Sequence, residues 1–151
     1  MGLVKPDRSI RLVLLLVAFS GFAALVYEIL WLKELRRLLG NTTTAAGTTL
    51  VAFFLGVSVG SRFWGKVVGS FRNKLVLYGL LEFGIGVSAL LYFWLLAIFF
   101  RLYPSLYPYL SSSPLAFSLV KFLLAVTLLF PAAFFMGGTL PVVSEWLSGR
   151  V

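Results

Sequence analysis

Few residues in this chain could do chemistry, and their surroundings say more than their number. The carboxylates are Asp7, Glu28, Glu34, Glu82 and Glu145, and there is no His and no Cys. Disulfides, zinc sites of the His and Cys type, thiolate nucleophiles, a Ser-His-Asp triad and His-ligated haem all require a residue type the chain lacks. No catalytic residue, metal site or cofactor is expected. Glu28, Glu82 and Lys121 lie inside or near the edges of long apolar runs, and Arg62 closes another. A charge in such a place is expensive and faces protein or a water-filled cavity. The chemistry open to these four residues is a pathway for an ion, a proton or a polyamine, or else ion pairing that fixes helix order, and pairing is the preferred reading.

The elements that carry them must be membrane helices. Of 151 residues, 60% are hydrophobic, 17% aromatic and only 12% charged, where soluble chains carry about a quarter charged residues. The 13 Lys and Arg against 5 Asp and Glu give a net charge of +8. These charges sit between apolar runs, where they set topology and meet anionic headgroups, so a nucleic-acid partner is a poor reading and the lipid bilayer is the expected one.

A basic head, Met1 to Arg11, precedes an apolar run from Leu12 to Leu32 broken only by Glu28. The head, the run and the small residues around Ser20-Gly21 also resemble a cleavable signal. An uncleaved span is preferred, because the apolar run continues past such a site. Lys33 to Leu39 alternates charge and leucine as a helical continuation in the headgroup region, and Gly40-Asn41 reads as its stop. Asn41 to Ser61 carries no charge and gives a second span, followed by a short basic loop from Gly65 to Lys74. Leu75 to Phe100 is a third span, with Tyr92, Trp94 and Arg101 as interface anchors near its far end. The Pro, Tyr and Ser of Tyr103 to Pro114 read as an interfacial loop. Leu115 to Leu140 is the fourth span, and Pro141 to Val151 an amphipathic tail. The expectation is one all-α transmembrane domain over residues 1–151, with spans near 11–32, 43–63, 75–100 and 115–140 and an interfacial loop at 101–114.

Four spans put both termini on one side. Lys5, Arg8, Arg11, Arg62, Lys66, Arg72, Lys74 and Arg150 fall on that side, against Lys33, Arg36, Arg37 and Arg101 on the other, so the positive-inside rule places both termini in the cytoplasm. In this topology Glu28 and Lys121 share the outer half of the bilayer, and Glu82 lies in the inner half nearer Arg62. The expected pairs are Glu28 with Lys121 and Glu82 with Arg62.

Thr48, Ala52, Gly56 and Gly60 recur every four residues and line small side chains on one stripe, either for dimerisation or for packing against the chain's own spans, the latter preferred. Pro131, Gly137, Gly138 and Pro141 concentrate helix-breaking residues at the inner end of the fourth span, as in many transporter sites, although neighbouring groups in membrane helices can also re-satisfy such backbone. Phe53-Phe54 and Phe99-Phe100 are expected to face lipid.

Four phrases in order, Ser20 to Trp31, Phe54 to Ser61, Leu77 to Gly86 and Phe130 to Pro141, resemble the N-terminal membrane region of spermidine synthase-like membrane proteins, in which a major-facilitator-like part is fused to an aminopropyltransferase. The loop from Gly60 to Lys74 is also similar to the basic loop between the second and third helices of major facilitators, with Val68-Gly69-Ser70 where an Asp-Arg pair would be expected. The resemblance implies a membrane module of an inner membrane. Long members continue into a soluble nucleotide-binding catalytic domain; the chain ends at Val151 and Gly79, Gly84 and Gly86 lie within a span, so aminopropyl transfer is not carried over. The expected function is a non-catalytic membrane module that anchors or docks to a protein partner or a second copy. The alternative is a small-solute transporter working as an oligomer, with polyamine cations as its natural candidate.

Overall fold

The computed structural model describes residues 8–39, 42–110 and 113–149. They form four helices, α1 (Arg8–Leu39), α2 (Thr42–Val67), α3 (Lys74–Leu110) and α4 (Pro114–Ser148), with a 3₁₀ turn at Val68–Ser70. Each helix is long and apolar enough to cross a membrane. Two starts are written locally. Asn73 Oδ1 accepts from the backbone N–H groups of Leu75 and Val76 at 3.1 and 3.3 Å, and Ser113 Oγ accepts from Ala116 N–H at 3.4 Å with Pro114 at the first helical position. Both satisfy amides that no carbonyl of the helix can reach.

The contacts fix the relative directions. Ser20 meets Glu82 and Trp31 meets Tyr92, so α1 and α3 run parallel. Gly56 faces Ala133 and Gly65 faces Pro141, making α2 and α4 parallel, whereas Leu81 meets Gly138 and Gly84 meets Phe135, making α3 and α4 antiparallel. The helices therefore alternate in direction, and the Arg8 and Ser148 ends lie at the same end of the bundle.

Packing is closest between α2 and α4, because both present glycine there. A methyl added at Gly60 would strike the Phe134 carbonyl, and one added at Gly137 would strike the Val57 carbonyl. Between helices in lipid, close van der Waals contact must supply the attraction, since lipid tails are as apolar as leucine. The interior divides into two clusters. One holds Trp31, Leu35, Tyr92, Phe99 and Leu129; the other, toward the chain ends, holds Val13, Leu77, Tyr78, Val142 and Trp146. Helix α1 is the outlier: 6% of its membrane window is buried, against 28% in each of the others.

Several sequence expectations change. The loop expected at 101–114 is largely helix, since α3 continues to Leu110 through Pro104 and Pro108. Phe99, Tyr103 and Tyr107 recur every four residues, and their rings stand 5.7 and 5.9 Å apart while Phe117 of α4 lies 6.1 and 6.0 Å from the two tyrosines. This ladder holds the extension despite two missing amide donors. The basic loop at 65–74 shrinks in the same way, because α2 runs to Val67 and the 3₁₀ turn follows. Lys74 Nζ donates to the carbonyls of Val68 and Phe71 at 2.9 and 2.8 Å, tying the corner together. Tyr92 is not an interface anchor but lies buried against Trp31, while Trp94 is exposed. Phe54 and Phe100 face outward as expected, but Phe99 is buried and Phe53 half-buried. The helix stop expected at Gly40-Asn41 lies outside the described residues.

Candidate functional site

Between the two apolar clusters the bundle contains a polar spot. Ser20 of α1 donates to Glu82 Oε1 of α3 at 2.6 Å. Both residues sit at the same level because each lies roughly 12–18 Å along its own helix from the shared end, at ~1.5 Å per residue. A cavity of about 90 Å³ opens beside them, lined also by Ala24, Tyr27, Gly86 and Met136. It adjoins a second, of about 260 Å³, which shares Ser20, Ala24 and Met136 and adds Tyr78 and Thr139. Tyr78 stands one turn before Glu82 on the same face of α3; its hydroxyl is near Glu82 and Ser20 but outside hydrogen-bonding geometry, and it is buried without a partner. Thr139 is internally satisfied, donating to the Met136 carbonyl at 2.8 Å.

On the bilayer side of this spot, the seam between α1 and α3 widens into a groove of about 440 Å³. Its walls are Phe83, Val87, Leu90 and Phe93, with Tyr27 and Gly86 shared with the Glu82 cavity. Nothing lies within 4 Å of where a Cβ on Gly86 would stand, so this shared wall carries no side chain between the groove and the cavity. The arrangement can accept a hydrogen bond or a positive charge at the end of an apolar trough. Among the described residues no three His, Cys, Asp or Glu gather as a metal ion would require.

The expected charge pairs do not form. Gly60 faces α4, and Arg62, two residues or ~200° further round α2, is turned to the exposed side. Glu82 is met by Ser20 instead. Lys121 has its Nζ 4.2 Å from the ring centre of Phe117, one turn earlier on its own helix, a cation–π contact. Glu28 is half-buried and has no ion pair among the described residues. Among the described residues the ion pair is Arg37 with Glu34, at 3.0 Å on the exposed end of α1.

The stripe Thr48, Ala52, Gly56 and Gly60 is buried, and its two glycines are closed by α4 of the same chain. The expected helix break at Pro131, Gly137, Gly138 and Pro141 is absent, since α4 runs unbroken through all four. The glycines serve close approach instead, Gly137 against Val57 and Gly138 against the Trp64 ring, and a packed neighbour lets a membrane helix tolerate proline.

Sequence reasoning missed Ser20, Tyr27, Tyr78 and Gly86 as cavity residues. The four-residue spacing of Tyr78, Glu82 and Gly86 was a usable signal, for it sets one stripe on α3. Ser20, 62 residues away from its partner, gave none. No family model, curated protein or solved structure matches the chain, which stands as an all-α protein of four helices, each long and apolar enough to cross a membrane.

Proposed function

We propose that this chain is a non-catalytic integral membrane module that docks laterally to a protein partner through α1. The observation that carries it is the contrast in burial: α2 and α3 each pack against α4 and have 28% of their membrane windows buried, as α4 does, while α1 has only 6%. Leu15, Phe19, Phe22 and Ile29 are all exposed and recur at helical spacing on one face. The small-residue stripe is already occupied by α4, whereas this apolar face of α1 is exposed. The sequence resemblance to spermidine synthase-like membrane proteins supports the same role, and the charge bias supports cytoplasmic termini in a bacterial-type inner membrane.

Native mass spectrometry of protein extracted in mild detergent from its own membrane tests this. The expected result is an assembly with a second polypeptide that dissociates in the Phe19→Ala/Phe22→Ala variant, whose monomer keeps its stability because both rings are outside the core. A wild-type monomer, or an assembly untouched by the double substitution, refutes docking through α1.

A second reading, a small-solute carrier with polyamine cations as its cargo, is favoured by one observation, the cavity beside Glu82. It predicts that Glu82→Gln abolishes polyamine flux in liposomes without changing assembly. Equal flux in wild type and variant, or flux no greater than in empty liposomes, removes it.

A further inference from the structure

The groove and the cavity on the α1–α3 seam, which share Tyr27 and Gly86, combine two chemistries that a lipid-facing surface does not ordinarily join. The trough wall is hydrocarbon, from Phe83 to Phe93, and open toward the bilayer. Its floor at Gly86 leads to Glu82, one of whose oxygens is held by Ser20. Tyr78, a residue only 7% exposed, stands close to both Glu82 and Ser20 and lines the adjoining cavity. A carboxylate in an otherwise apolar interior is costly unless something meets it.

We propose that this seam is a binding site for a single-chain amphiphilic amine from the bilayer, its ammonium at Glu82 and its alkyl chain in the groove toward Phe93. Charge selects the head, because among the described residues Glu82 is the acidic group that lines the cavity and no cationic side chain does. Length suits the tail, since Glu82 to Phe93 spans roughly 16 Å along α3. The cavity of about 90 Å³ takes a small head with little water, a water's share of volume being about 30 Å³. A bulky headgroup does not fit, and a free polyamine would leave the apolar trough empty.

The test is titration of the full chain with dodecylamine in mild detergent, read by native mass spectrometry as the occupied fraction, with dodecanol and butylamine as the comparison probes. Dodecylamine should bind one to one, and each comparison probe at least tenfold more weakly. Glu82→Gln should weaken dodecylamine at least tenfold, and Gly86→Leu should abolish binding; a Cβ at position 86 meets nothing within 4 Å, and a melting temperature equal to that of the Gly79→Leu variant separates lost binding from unfolding. Gly79→Leu, two turns earlier and also open, should bind like the wild type. Equal binding of dodecanol, equal binding by Glu82→Gln, or equal loss in Gly79→Leu and Gly86→Leu overturns the proposal. So does an absence of dodecylamine binding accompanied by loss of a native protein partner in Gly86→Leu, which would assign the groove to a helix of that partner.

Discussion

Replacing Gly60 with alanine puts one methyl group against the backbone of α4, and the structure sets the penalty. The new Cβ would overlap the Phe134 carbonyl oxygen and stand 2.8 Å from the carbonyl carbon and 2.9 Å from Cα. Ordinary contact begins at 3.4 Å, so the carbonyl carbon must recede by at least 0.6 Å, the difference between those distances. A side chain could rotate away, but helix backbone moves only with its helix. The two helices must part, and a gap of ~0.5–1 Å forfeits about a quarter to a half of each contact along the seam. Overpacking costs ~1–3 kcal/mol, and backbone as the obstacle places this variant at the upper end. Helix propensity returns at most about 1 kcal/mol. The net loss is about 2 kcal/mol, roughly thirtyfold in the unfolding equilibrium. Reversible unfolding in mixed micelles of dodecyl sulfate, followed by tryptophan fluorescence, measures it. Gly86→Ala is the reference, because its methyl meets nothing within 4 Å and should leave stability equal or slightly higher. Equal stability of the Gly60→Ala and Gly86→Ala variants would refute the claim that glycine at position 60 sets the α2–α4 approach.

A double-mutant cycle between Ser20→Ala and Glu82→Gln should give a coupling of about 0.6–1.7 kcal/mol, as for interhelical hydrogen bonds in membranes, and additive effects would mean the 2.6 Å contact carries no stability. Trp31→Ala removes a side chain that is 0% exposed and should destabilise by ~3–5 kcal/mol in the same unfolding assay; a loss under ~1 kcal/mol would show that α1 does not need this anchor. The absence of native cysteine allows single-site labelling with a membrane-impermeant maleimide. Ser70→Cys and Ser148→Cys should react from one side of the membrane and Ser113→Cys from the other, and common sidedness of all three would contradict the alternating helices.

The residues of the bundle differ in how openly they declared themselves. Four apolar runs could be read directly, because hydrocarbon tolerates no other long segment, and a charge-free stretch such as 41–61 marks a span whatever surrounds it. The Ser113-Pro114 helix start is also local, although by composition those residues read as the end of a loop. The ends of the spans were less legible. Pro104 and Pro108 argued for a loop, and the Phe99–Tyr103–Tyr107 ladder against Phe117 overrode them through a helix that begins further along the chain. Likewise Pro131 and Pro141 marked sites where a helix can break, and packing against α2 decided that it does not.

For the candidate site the division is sharper. Sequence by itself determined that Glu82 lies in a span, since its neighbours are apolar for more than a turn on either side, and that small residues line one stripe of α2, since that follows from the helical period alone. Neither fact names a partner. Rotation of each helix about its axis decides which face meets which, and that rotation is set by the glycine contacts of α2 with α4, which turn Arg62 outward and leave Glu82 to Ser20. The cavity and groove follow from the same choice, because they are the space that remains once the closest pair of helices has packed and α1 has come to rest against what is left.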